Sequence, residues 1–218
     1  MSSSVAFTNA TNYATFNKQD PEIGISRFNI PERVTATLSW TPITIEGQYR
    51  TKVSLFLDHF QSNPYSIMMD GYAGSGYGFE NGFLIYVPTG ESDPGVAGDI
   101  TELLALTDSL GCARGSICPR NSIDGSWNTV YDLKIAQEFP GFVAGHMAEL
   151  YLTIKNLGNL LDSKYGVYRD ANPQQNVVDV DVSDTGTFTY SNVGSPNGSS
   201  IDSERSLYQI KVGFYYRF

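Results

Sequence analysis

Strict alternation of apolar and polar residues over long stretches is the feature that most constrains the fold of this chain. In Leu207–Phe218, six apolar or aromatic side chains share one face: Tyr208, Ile210, Val212, Phe214, Tyr216 and Phe218. The opposite face carries Gln209, Lys211, Gly213 and Arg217. A period of two residues is typical of a β-strand whose two faces meet different surroundings.

Four earlier stretches show the same alternation, at residues 33–41, 49–58, 127–136 and 148–155. Strands of soluble sheets most often have 5 or 6 residues, whereas a tilted strand that crosses a bilayer needs about 9 to 11. The lengths favour an all-β, antiparallel transmembrane barrel with lipid outside and a wet lumen inside. The side chains predicted to face lipid are Val34, Leu38, Trp40, Val53, Leu55, Leu57, Leu133, Ile135, Leu150, Leu152, Ile154, Ile210 and Val212. Those predicted to face the lumen include Lys52, Asp132, Lys155 and Lys211.

The connections between these stretches are unequal in length. Residues 41–48 and 138–145 are short and contain Pro and Gly, whereas 61–125 and 156–206 are long and polar. Short periplasmic turns and long extracellular loops are typical of outer-membrane barrels. Within the long segments we expect a short helix as loop decoration, capped by Asp99 and ended by Gly111. We also expect a small hairpin of residues 177–182 and 185–190.

Five strands cannot close a barrel, because about eight is the practical minimum and an open edge leaves unpaired backbone groups in hydrocarbon. We therefore expect residues 33–218 to be the C-terminal part of a larger barrel, and residues 1–32 to be the remnant of an extracellular loop. The first residues have neither the basic start nor the apolar core of a secretory signal, so the true beginning of an exported protein is expected to be missing.

Charge and motifs exclude several functions. The chain has 14 Lys and Arg against 23 Asp and Glu, a net charge of −9, which gives no electrostatic basis for binding nucleic acid. Gly-x-Ser-x-Gly, P-loop and His-Glu-x-x-His motifs do not occur in the sequence. We expect no enzymatic activity, no catalytic residues, no cofactor and no metal.

The two cysteines lie close together in the first long segment, at Cys112 and Cys118. An oxidising compartment outside the cytoplasm favours a disulfide between them. Two free thiols are the alternative.

The final residues resemble the recognition signal that the barrel assembly machinery reads. The matching positions are Lys211, Gly213, Phe214, Tyr216 and the terminal Phe218. The resemblance implies that this stretch is the last strand of a barrel and that the assembly machinery is a partner. A soluble edge strand that happens to end in Phe is the alternative, although such an exposed edge favours aggregation.

Several further segments resemble the C-terminal barrel of TonB-dependent receptors of the Oar-like group, over about residues 27 to 218. They are Asn63–Ser66, Leu84–Pro88, Arg114–Asn121, Asp132–Pro140 and Lys155–Asp162. The resemblance implies an outer-membrane transporter of about 22 strands around a plug, coupled to TonB through an N-terminal part outside this sequence. Its partners would be outer-membrane lipid, the plug and the rest of the barrel, and the isolated segment would be inactive.

Two other functions remain open from the sequence. One is an outer-membrane barrel that serves adhesion or structure without transport. The other is a soluble β-sandwich that acts as a binding module. The transported substrate is not indicated by these residues.

Overall fold

The computed structural model describes residues 14–17, 22–45, 49–71 and 79–218, and over these residues the fold is all-β. Its strands are β1 (Arg33–Trp40), β2 (Ile43–Ile45), β3 (Tyr49–Gln61), β4 (Ser66–Gly71), β5 (Phe79–Leu84), β6 (Tyr86–Val87), β7 (Val96–Ala97), β8 (Ser116–Ile117), β9 (Trp127–Pro140), β10 (Met147–Lys155), β11 (Arg169–Ala171), β12 (Gln174–Val182), β13 (Phe188–Ser191), β14 (Ser199–Ile201) and β15 (Gln209–Arg217). The described helices are short: α1 (Thr101–Ser109), α2 (Leu157–Leu161) and α3 (Ser203–Ser206). Residues 1–13 and 18–21 of the expected loop remnant lie outside the described residues, as do 46–48 of the first expected turn.

The chain divides into two units, a division that the alternation did not predict. The first, called here the loop unit, comprises Met1–Asn29, Asn63–Gly125 and Ala171–Ser199. The second, the strand unit, comprises Ile30–Ser62, Ser126–Asp170 and Ser200–Phe218. The two long segments expected as loops therefore supply most of a folded unit.

The strand unit is built on one antiparallel sheet of the five long strands. Their order is β1-β3-β9-β10-β15, and the short strand β2 also pairs with β3. Every long strand begins and ends close to its predicted position, although β3 and β9 extend to 13 and 14 residues. The five long strands lie side by side in the order in which they occur along the chain, as expected of an up-and-down sheet.

The turn between β9 and β10 depends on two glycines. The Gly141 N–H donates to the His146 carbonyl at 2.9 Å, and a Cβ on Gly141 would lie 2.5 Å from the Cβ of His146. Gly145 has φ +87°, a conformation that other residues rarely adopt. The short connection predicted here is therefore a tight turn that requires glycine.

The loop unit contains a mixed sheet in the order β5-β4-β12-β13-β7. The predicted hairpin is present as β12 and β13, which pair antiparallel. It is not a separate hairpin, however, because β12 also pairs in parallel with β4, and β13 pairs in parallel with β7.

Helix α1 is part of the loop unit's core, so the expectation that it merely decorates a loop is wrong. Ile100 and Leu103 are 2% and 0% exposed and pack with Ile67, Ile85 and Val178. Burial of this apolar face stabilises the helix, whose nine residues would be marginal alone.

The C-terminal end of α1 at Gly111 agrees with the prediction, whereas the N-cap lies one residue after the predicted Asp99. Ile100 occupies the N-cap position and makes no side-chain hydrogen bond there, whereas the Asp99 carboxylate, one residue earlier, accepts hydrogen bonds from the backbone N–H and hydroxyl of Thr101. At the other end Gly111 has φ +77°, and the N–H groups of Gly111 and Cys112 donate to the carbonyls of Asp108 and Thr107. This arrangement is a Schellman motif.

Cys112 and Cys118 form a disulfide in the structure, directly after α1. Both are buried in the core of the loop unit. The bridge therefore joins the end of the helix to the segment that follows β8.

Candidate functional site

One face of the long sheet is apolar across all five strands. A single row of paired residues runs through Trp40, Val53, Ile135, Leu152 and Val212. Directly paired residues of antiparallel strands project to the same side of the sheet. By the same register this face, called here the apolar face, holds all the residues predicted to meet lipid: Val34, Leu38, Trp40, Val53, Leu55, Leu57, Leu133, Ile135, Leu150, Leu152, Ile154, Ile210 and Val212.

The described residues leave much of the apolar face exposed. Leu38 is 71% exposed, Trp40 65% and Val212 69%. A contiguous apolar surface of this kind is unusual on a soluble protein and marks a surface that meets another apolar phase or partner.

Aromatic side chains lie at both ends of the apolar face. At the turn end, the Tyr216 ring stacks on Phe142 with centroids 5.7 Å apart and contacts His146 edge-on. At the other end, His59 and Trp127 stack with centroids 4.4 Å apart. Aromatic girdles that flank an apolar band are typical of transmembrane β-barrels.

The opposite face of the sheet is polar and charged. Arg33 holds the Asp58 carboxylate through two hydrogen bonds of 2.9 and 2.7 Å, and the ammonium of Lys52 lies 3.7 Å from Glu138. The paired positions Ser39 and Ser54 on neighbouring strands share a hydrogen bond of 3.1 Å. The charged and hydroxyl groups of this face, called here the polar face, can be hydrated without an energetic penalty.

All four side chains predicted to face the lumen lie on the polar face. Lys211 pairs with Thr153, and Thr153 in turn pairs with Lys134. Two lysines therefore flank one hydroxyl in a single row. Asp132 accepts a hydrogen bond from the backbone N–H of Asn156 at 2.9 Å.

The residues that resemble the assembly signal all lie on or beside β15. Phe214 is on the apolar face opposite Leu150 and is 57% exposed, and Phe218 follows the strand and is 96% exposed. The Tyr216 hydroxyl accepts a hydrogen bond from the backbone N–H of Phe142 at 3.1 Å and lies 3.0 Å from Nδ1 of His146. Tyr216 therefore anchors the last strand to the turn between β9 and β10.

Gly213 has a structural role that the sequence did not indicate. It pairs with Tyr151, and a Cβ on Gly213 would lie 2.1 Å from the Tyr151 ring. The ring also stacks on Tyr215, with centroids 5.3 Å apart, and Lys134 Nζ lies 5.0 Å from its centroid. Absence of a side chain at Gly213 thus lets an aromatic ring cover the backbone between β10 and β15.

Asn156, the first Asn of the Asn-Leu-Gly-Asn segment, organises the chain after β10. Its backbone has φ +52°, and its side-chain amide donates to the carbonyls of Gly166 and Ser206 at 2.7 and 2.8 Å. A buried amide that satisfies two carbonyls fixes both segments next to the strand end.

The loop unit contains a cluster of hydrogen bonds around one carboxylate, which the sequence did not indicate. Asp93 is only 6% exposed and accepts hydrogen bonds from the N–H groups of Thr89 and Gly95 at 2.8 and 2.9 Å. The hydroxyls of Tyr86 and Thr89 donate to it as well, each at 3.0 Å. The two backbone donors are the main reason that the pKa of Asp93 is lowered to about 2. The Asp93-Pro94-Gly95 turn sequence was the only signal that could have indicated this cluster.

In the described part of the chain, His, Cys, Asp and Glu side chains do not form a group of three that could hold a metal ion. Among the same residues, the helices are too short and polar to cross a membrane. A scan against protein-family models gives no match, and searches of curated proteins and of solved structures give no significant match either. A functional proposal for this chain therefore rests on its residues and their geometry.

Proposed function

We propose that this chain is the C-terminal part of an outer-membrane TonB-dependent receptor of the Oar-like group, which moves a substrate across the outer membrane. The observation that carries the proposal is the continuous apolar face on five antiparallel strands, backed by a charged face. In this proposal lipid covers the first face and the wet lumen hydrates the second.

Both alternatives to this orientation are unfavourable in free energy. Leu38, Trp40 and Val212 are each more than 60% exposed, so water at this face would be unfavourable at roughly 25 cal/mol for every Å² of apolar surface. A reversed orientation would place the charges of Lys52, Lys134 and Lys211 in hydrocarbon, at about 2 to 4 kcal/mol each near the bilayer centre. Lipid at the apolar face avoids both costs.

The open edges of the sheet support a larger barrel. Strands β1 and β15 stand at the two ends of the sheet order. In hydrocarbon their unpaired backbone groups need partners, and further strands of the same barrel would supply them. The last strand, with Phe214, Tyr216 and Phe218, would be read by the assembly machinery during insertion.

Quenching of single tryptophans by brominated lipid tests which face meets the membrane. The chain contains two tryptophans, Trp40 and Trp127. In the full-length protein, reconstituted in membranes with Trp127→Phe and with the tryptophans outside this chain replaced by Phe, bromines on the lipid acyl chains should quench Trp40 strongly. The matched variant adds Ser39→Trp and Trp40→Phe, which moves the indole by one residue to the polar face.

The moved tryptophan should be quenched much less than Trp40 by the same lipid. Equal quenching at the two positions, or stronger quenching at position 39, would contradict the assigned faces. The proposed transport function is tested separately by reading the coding sequence upstream of Met1. That sequence should encode a plug and a TonB-contacting segment. A barrel gene without a plug would instead support the adhesive or structural alternative.

A further inference from the structure

The charge of the chain is concentrated in the loop unit. Counted along its segments, this unit has 13 Asp and Glu against four Lys and Arg, which gives −9. The strand unit has ten of each and is neutral. The net negative charge of the chain therefore lies in one unit, and such a charge attracts cationic partners and repels anionic ones.

An aromatic pocket of about 470 Å³ lies within this acidic unit. Its walls include the rings of Phe16, Tyr86 and Phe188, and Gly95 and Gly115 complete part of its lining. The rings of Tyr86 and Phe188 have centroids 6.4 Å apart and are inclined by 30°, so that they border the same space. All three residues are partly exposed.

A buried negative charge is linked by hydrogen bonds to the pocket wall. Asp93 is hydrogen-bonded to two lining residues, through the hydroxyl of Tyr86 and the N–H of Gly95. Within the described residues its carboxylate is held by hydrogen bonds and not by an ion pair. The hydrogen bond to the carboxylate also makes the Tyr86 ring more electron-rich, which strengthens its attraction for a cation.

We propose that this pocket binds the cationic side chain of a lysine- or arginine-rich peptide. The aromatic faces would contact the ammonium or guanidinium group, the carboxylate of Asp93 would supply a fixed negative charge behind them, and the acidic surface of the unit would attract the rest of the peptide. The inference goes beyond the proposed transport function and does not depend on which face of the strand sheet meets lipid.

The charges favour this occupant over two others. An apolar side chain would gain from the rings but nothing from the field of the unit, and an anionic ligand would be repelled by it. A cation within about 6 Å of a ring centroid is attracted both by the aromatic ring and by the negative charge of the unit. The 470 Å³ pocket is also large enough for the end of a long side chain.

The test uses the whole protein in an uncharged detergent and measures fluorescence anisotropy of labelled octalysine and octaglutamine. Octalysine should bind, and octaglutamine should bind at least tenfold more weakly. Phe188→Leu removes one ring face but keeps an apolar side chain, and it should weaken octalysine binding about tenfold. Phe142→Leu is the matched control, because Phe142 is 92% exposed and belongs to the strand unit, and its effect should be less than twofold.

A competition experiment on the unmodified protein avoids any effect of substitution on folding. Tetramethylammonium chloride should displace octalysine more effectively than sodium chloride at the same ionic strength, because the weakly hydrated organic cation binds aromatic faces in water better than the strongly hydrated sodium ion. Equal displacement by the two salts would show that octalysine binds only through diffuse surface charge, and the proposal would be wrong. Octalysine binding that is unchanged in Phe188→Leu, or matched by octaglutamine, would overturn it as well.

Discussion

The middle of β3 offers the sharpest test of the proposed membrane orientation. Leu55 is the seventh of the 13 residues of this strand and lies between Leu38 and Leu133 on the apolar face. If lipid covers this face, Leu55→Arg places a guanidinium near the centre of the bilayer. The cost is about 2 to 4 kcal/mol, which corresponds to about a 30- to 900-fold shift in the folding equilibrium.

The neighbouring position provides a matched control on the polar face. Phe56 is 37% exposed and pairs with Asp132, so Phe56→Arg brings a cation next to a carboxylate in a hydrated environment. An exposed ion pair of this kind contributes about 0 to 1 kcal/mol, which offsets part of the cost of removing the Phe56 side chain. We therefore expect Phe56→Arg to fold at close to the unmodified level.

Both variants are made in the full-length protein and compared in outer-membrane fractions. The measurements are the amount of folded barrel that migrates faster on a gel before heating, and its midpoint in a denaturant titration. Leu55→Arg should lower both strongly, and Phe56→Arg should lower neither by much. If Phe56→Arg abolishes the folded band while Leu55→Arg leaves it intact, the two faces are reversed and the proposed orientation is wrong.

Three further predictions concern the end of the chain and the loop unit. Phe218→Asp in the full-length protein should reduce the folded barrel in outer-membrane fractions, because it removes the terminal aromatic and adds a charge near the proposed membrane interface, and normal levels would contradict the proposed assembly signal. Gly213→Val should displace the Tyr151 ring and destabilise the pairing of β10 with β15, so its denaturation midpoint should fall well below that of Tyr151→Phe, and equal midpoints would show that the ring does not need the glycine. Because folding lowers the pKa of Asp93, its carboxylate stabilises the loop unit above the unfolded pKa of about 4, and this stabilisation is lost as the pH falls towards about 2. The Thr89 and Gly95 amides should therefore lose their protection from hydrogen exchange over that pH range. Unchanged protection would refute the role of this carboxylate.

Local alternation was sufficient to predict the long strands and the face on which each side chain lies. The side chains of a strand alternate with period two in every context, so Leu133 and Ile135 share a face whatever the partner strand is. The partner strands then had to bring the apolar faces together, since a one-residue slip would mix Leu55 or Leu152 with charged side chains. The disulfide was also accessible from the sequence, because Cys118 follows Cys112 by only six positions.

The fold of the loop unit could be known only from the tertiary structure. Its sheet joins Ser66–Gly71 to Gln174–Val182 in parallel, and segments more than 100 residues apart leave no local pattern that identifies them as partners. The aromatic pocket and the contact of Tyr151 with Gly213 likewise depend on distant residues that meet only after folding. Sequence periodicity reports the environment on each side of a strand, whereas the partner across space is selected by the packing of the complete chain.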